Sequence, residues 1–158
     1  GVDFLWFPTP NFGGYCISRK TYEKCISESN IRALKRIKDN GAQIVLHTCG
    51  LYDDRFDLVL KESGDAWHIS DTSTKKVKEQ YGDKVSLMGS IPCVPVLMEG
   101  TEQEVYDFCY KECMDAAQDG RFILSGDCDV PPGTSDENMK AAVRAAKDAE
   151  KILFGKTK

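Results

Sequence analysis

Five short apolar runs, each followed by a stretch of helical periodicity, constrain this chain more than any other feature. The runs cover residues 2–7, 43–46, 66–70, 85–91 and 122–125. The first is stopped by Pro8 and Pro10, as a buried parallel strand would be. Helical spacing relates Tyr22, Cys25, Ile26, Ala33, Leu34 and Ile37 within 20–39, and Phe56, Leu58, Val59 and Leu60 within 53–63. Ser18 is placed to cap the former. A charged, weaker helix is expected over 74–81. Thr101 with Glu104 forms a capping-box pattern ahead of a helix carrying Val105, Phe108, Cys109, Met114 and Ala116, which stops at Gly120. Ser135 is expected to cap a final helix through Phe154, with Met139, Ala142, Val143, Ala146, Ala149 and Leu153 as its apolar face. Residues 156–158 read as a frayed tail, and 8–15 and 92–100 as loops rich in Pro and Gly.

Strands alternating with helices imply parallel pairing and right-handed crossovers. Five such units are too few to close a barrel of eight. The chain is therefore either an open doubly wound sheet or part of a (βα)8 barrel. It begins at Gly1 rather than methionine and reads as a strand from Val2, as though cut from something longer, which favours the second. The expected fold is α/β: the C-terminal portion, about five βα units, of a (βα)8 TIM barrel. It would form one partial domain over 1–158 with the N-terminal strands missing.

Composition narrows the function classes. The net charge of −4, without a basic run or a basic patch interleaved with aromatics, argues against nucleic acid as a partner. No apolar segment approaches the length that spans a membrane, and the start lacks the basic region of a signal peptide. Seven cysteines, an odd count, do not resemble a secreted disulfide framework. A reducing, cytoplasmic setting is expected.

The chemistry concentrates at two strand ends. The run 43–46 delivers His47-Thr48-Cys49-Gly50, and residues two apart on a strand face the same way. The run 122–125 ends in Gly126-Asp127-Cys128. One imidazole and two thiolates at C-terminal strand ends, where barrel enzymes keep their active sites, suggest zinc with three protein ligands and one open position. Against this, free cysteines commonly pack as small buried hydrophobes. His68, beside Trp67, is a core histidine, a pocket residue that meets substrate, or a further metal ligand. Asp71 could accept from a ligand histidine, contact substrate, take some part in catalysis, or cap the helix that follows. Asp127 and Asp129 flank Cys128 and either tune its charge or face solvent. Cys16, Cys25, Cys93, Cys109 and Cys113 lack a partnered pattern. Cys109 and Cys113 stand at i and i+4, but on a helix expected to cover the outside, where core packing is the simpler role. An open position on a zinc held by two thiolates suits an incoming thiol, which the metal converts to a nucleophilic thiolate.

At these residues the chain resembles the uroporphyrinogen decarboxylase superfamily, most closely its methylcobamide:coenzyme M methyltransferase branch. The resemblance covers essentially the whole chain. It is carried by Val-Leu-His-Thr-Cys-Gly at 45–50, Lys-Val-Ser-Leu-Met-Gly at 84–89, Met-Glu-Gly-Thr at 98–101 and Phe-Ile-Leu-Ser-Gly-Asp-Cys-Asp-Val-Pro-Pro-Gly-Thr at 122–134. It implies that His47, Cys49 and Cys128, with 78 residues between the cysteines, are the zinc ligands. It also implies a complete barrel of roughly twice this length, of which the chain supplies strands four to eight. The implied reaction moves a methyl group between a corrinoid (cobalamin) carried by a partner protein and a small thiol such as coenzyme M. Relatives that demethylate methoxylated aromatics or methylamine-type donors offer an alternative methyl-donor substrate. Decarboxylase chemistry fits less well, because that branch lacks the ligand set and its arginines and catalytic aspartate lie in the part absent here. A reading of another class is an inactive barrel fragment that folds only by pairing, for instance as a homo-oligomer, since open sheet edges are sticky.

Overall fold

The computed structural model describes residues 2–155; the tail expected at 156–158 lies outside them. Five strands pair in parallel in the order in which they occur in the chain: β1 (Phe4–Pro8), β2 (Gln43–Thr48), β3 (Ala66–Ile69), β4 (Ser86–Met88) and β5 (Phe122–Ile123). A doubly wound sheet reverses its strand order partway. This one does not. Sequential parallel order is the arrangement of a partial (βα)8 barrel.

Six α-helices cover the sheet: α1 (Arg19–Tyr22), α2 (Glu28–Lys38), α3 (Phe56–Lys61), α4 (Thr74–Tyr81), α5 (Glu102–Ala116) and α6 (Asp136–Phe154). The caps fall where the sequence puts them. Ser18 and Ser135 accept from the Thr21 and Asn138 amides, and Thr101 and Glu104 form the reciprocal capping box. Asp71 is not a cap; Ser73 takes that place on α4 by accepting from the Lys76 amide.

Several boundaries differ from expectation. The helix over 20–39 is broken by a π segment, Glu23–Ser27, that shifts the buried face between α1 and α2. The loop expected at 92–100 contains a second π segment, Cys93–Met98. The fourth run pairs regularly only over Ser86–Met88 and regains contact at Ile91, which bridges to Gly126. The fifth keeps only Phe122–Ile123. On α6, Ala141, Ala142, Ala145 and Ala149 are buried, whereas Met139 and Val143 are exposed. The stripe of small residues faces α5 because it lets the two helix axes approach closely.

Strand parity separates two faces. Ile44, Leu46, Trp67, Ile69 and Leu87 point outward and are sealed under the helices, forming the main core with Tyr22, Leu34, Phe56 and Val77. Register places Trp6, Val45 and Ala66 side by side on the inner face, and likewise His47, His68, Met88 and Ile123. The inner face is open near the sheet edges, where Phe4 is 64 %, Trp6 45 % and Ile123 54 % exposed. Both histidines lie on this face, away from the core.

Candidate metal centre

β2 carries His47 at its fifth residue, and Cys49 follows one residue beyond its end. The strand end is clamped from both sides. Thr9 donates to the His47 carbonyl through its amide and its hydroxyl, at 3.0 and 2.8 Å. Across the sheet, the Thr48 hydroxyl donates to the His68 carbonyl (3.2 Å), Ser70 Oγ donates to the Thr48 carbonyl (3.3 Å), and the Gly50 amide donates to Ser70 Oγ (2.9 Å). Gly50 has φ +96°, the left-handed turn through which the chain leaves the strand.

Cys128 comes from the turn after β5. β5 is three places from β2 in the sheet, about 14 Å at ordinary strand spacing. The turn nevertheless brings Cys128 Sγ to 4.0 Å from His47 Nε2. One donor atom from each of His47, Cys49 and Cys128 lies within 4.8 Å of the other two. Tetrahedral zinc, with sulfur at about 2.3 Å and nitrogen at about 2.0 Å, holds such donors about 3.5–3.8 Å apart. A small contraction closes the trio on an ion.

The electrostatics suit a borderline-soft cation. Burial, then the adjacent His68 imidazole, holds His47 below the ordinary histidine pKa, so its ring is neutral and able to ligate near pH 7. Burial, then the facing Cys128 thiol, raises the Cys49 thiol. Without a cation Cys49 therefore favours its protonated form, and metal binding there would release a proton. His47 Nδ1 is buried without a hydrogen-bond partner. The donor set and the spacing both fit zinc.

The remaining expected residues are near the trio but not in it. His68 is buried beside His47, their rings stacked with centroids 4.6 Å apart, and Trp6 lies against both rings. Asp71 is exposed, has φ +50°, and accepts no hydrogen bond from either histidine, since His47 Nδ1 and His68 Nδ1 are unpartnered. It borders a polar cleft of about 270 Å³ with Thr74, Ser90, Glu112 and Asp127. Asp127 Oδ1 accepts from the Cys93 amide at 3.0 Å. Cys109 and Cys113 are buried between helices as core residues, and Cys16 and Cys25 are exposed singly.

Cys93 is the residue that sequence reasoning set aside too readily. Its thiol donates to the Cys128 carbonyl at 3.3 Å, so it supports the turn that carries Cys128. Its position just after the fourth strand run, level with the other site residues, is the signal that could have found it. Trp6 gave no such signal, because a tryptophan in an apolar run reads as core.

The comparisons with known proteins bear on the family and the fold. The chain is 28 % identical over 151 residues to a methylated-thiol–coenzyme M methyltransferase of Methanosarcina mazei. That match covers 94 % of this chain and 38 % of the relative. A solved methyltransferase from Methanosarcina mazei superposes with a TM-score of 0.83 at 19 % identity, over 94 % of this chain and 42 % of that one. The chain thus spans about two fifths of the length of these relatives, and its five sequential βα units are the fold of part of the larger structure. Among the described residues, no helix is long and apolar enough to cross a membrane. The family model for uroporphyrinogen decarboxylase matches residues 4–149, nearly everything described above, and the chain belongs to that family.

Proposed function

We propose that this chain is the metal-bearing portion of a methyltransferase, with His47, Cys49 and Cys128 as zinc ligands. Its reaction moves a methyl group between a corrinoid held by a partner protein and a small thiol of the coenzyme M type. The observation that carries the reading is the convergence of one neutral imidazole and two thiols, although 78 residues separate the two cysteines in the chain. Similarity to a methylated-thiol–coenzyme M methyltransferase supports it. So does the donor chemistry, because this ligand set has no evident use in decarboxylation.

Zinc in this position supplies a Lewis acid that keeps an incoming thiol as thiolate at neutral pH. The chain's own residues do the rest. His47, Cys49 and Cys128 would hold the ion with three donors, and its remaining position would take the substrate thiol. Thr9, Ser70 and Thr48 hold the end of β2 so that His47 and Cys49 keep their aim. Trp6 and His68 wall the inner side of the imidazole and keep water from it. Asp71, at the rim of the neighbouring cleft, is a substrate contact and a candidate for a catalytic part.

The first test is zinc content by elemental mass spectrometry, on protein purified without a histidine tag or chelator. About one zinc per chain is expected, with loss or sharp weakening in Cys128→Ser. A metal-free parent protein overturns the assignment.

A further inference from the structure

We infer that His68 is a positioning residue for the metal centre, holding the Cys128 turn and the His47 ring in mutual register. The inference rests on the zinc reading above.

The difficulty His68 solves is distance. Two ligands come from β2 and the third from beyond β5, with β3 and β4 between them. Cys128 itself is exposed, so its own burial does not hold it in place. The turn before it must therefore be held from below, across the intervening strands. His68 stands on β3, directly beside His47 in the parallel register. It is only 2 % exposed.

Its two contacts run in different directions. The ring face stacks on His47, with an interplanar angle of 26°. The ring edge reaches the turn, where Nε2–H donates to the Gly126 carbonyl at 2.5 Å, two residues before Cys128. That bond fixes the tautomer, because a carbonyl can only accept. One side chain thus touches both halves of the ligand set.

The other supports of the turn hold different atoms and leave this one to His68. Ile91 accepts from the Asp127 amide at 2.8 Å, and Cys93 binds the Asp127 carboxylate and the Cys128 carbonyl. Gly126 is pressed close: a Cβ there would lie 2.6 Å from Cys93 Sγ and 3.1 Å from the Cys128 carbonyl. The turn is packed on the Cys93 side, and the Gly126 carbonyl on the other side rests on His68. Groups that orient metal ligands commonly contribute about 10–100-fold in metal affinity.

Two substitutions separate the hydrogen bond from the packing. His68→Phe keeps a ring against His47 but has no N–H to donate. His68→Gln lacks the ring but keeps a donor within reach of Gly126. Zinc affinity is read by competition with a chromogenic chelator, and ligation by the thiolate-to-metal charge-transfer band of the cobalt(II)-loaded chain. We expect His68→Phe to weaken zinc about 10–100-fold and reduce the band as Cys128 disengages, and His68→Gln to recover most of both. If His68→Phe loses its native circular dichroism, His68→Met, which also lacks the donor, takes its place against His68→Gln. Variants that bind zinc as the parent does, or that weaken it equally whether or not they carry a donor, overturn the inference. A parent chain that binds no zinc overturns the metal assignment instead, so the two failures are distinct.

Discussion

Glu62 is an acid sealed within the core, and it shows how much one residue can tie stability to pH. Its carboxyl accepts from Tyr22 Oη at 2.5 Å and from Asn30 Nδ2 at 3.1 Å, knitting α1 and α2 to the end of α3. Burial outweighs both bonds and pushes its pKa up to about 7 from 4.5. The folded state thus keeps a proton that the unfolded chain releases over that interval. The contribution of Glu62 is most favourable below about pH 4.5 and is lost as pH rises through 7, by about 3 kcal/mol in all. His47 and His68, held low by burial, act in the opposite sense as pH falls below the ordinary histidine range. Comparing the parent with Glu62→Gln cancels the histidine effect. Urea unfolding should show the parent losing stability relative to the variant between pH 5 and pH 8, and a constant difference would refute this. At the same scale, His47 and Cys49 were legible because strand parity is local. Cys128 could be named but not placed by spacing, since no local rule carries a turn across three strands. His68 was visible as a residue but not as a brace, because its partner is a backbone carbonyl 58 positions away.

At the scale of elements, the caps and the alternation of strand and helix were readable, whereas the irregular segments were not. Pro92 and Pro95 make residues 92–100 look like a loop, yet they enclose the π segment Cys93–Met98. What stabilises that segment is distant in sequence. Asn138, buried in the first turn of α6, donates to the Leu97 carbonyl at 2.9 Å and to the Gly100 carbonyl at 2.8 Å. A polar residue beside Met139 gives no hint of that role. Asn138→Ala would strip both carbonyls of their donor, and should lower unfolding free energy by about 1–3 kcal/mol despite the better helix propensity of alanine. A variant with an unchanged urea midpoint would show the contact to be dispensable. The misread face of α6 has a related cause. Hydrophobicity ranks Met and Val above Ala, but the approach of α5 selects for small size, so Ala141, Ala145 and Ala149 are inside.

For the whole molecule, sequential parallel strands could be read from the alternation, and their order excluded the doubly wound alternative. Among the described residues β1 and β5 each pair on one side only, and Phe4, Trp6 and Ile123 near those edges are exposed. Parallel edges bearing apolar side chains recruit further chains. Light scattering at high protein concentration should therefore give a mass above 17.6 kDa, and Phe4→Lys with Ile123→Lys should reduce it toward that value. A parent mass of 17.6 kDa at every concentration would count against self-association. The metal centre has a bearing on the same question. Its proposed ligands lie at the second and fifth strand ends, so an ion held there would act as a clasp across the sheet. Mass action then links the fold to the surroundings: free metal at about 100 times its dissociation constant would add about 2.7 kcal/mol to stability. Depletion of the ion would be registered first as a loosened β5 and a shorter lifetime of the protein. Supply of the metal to the proposed site would thus regulate how much of the protein persists.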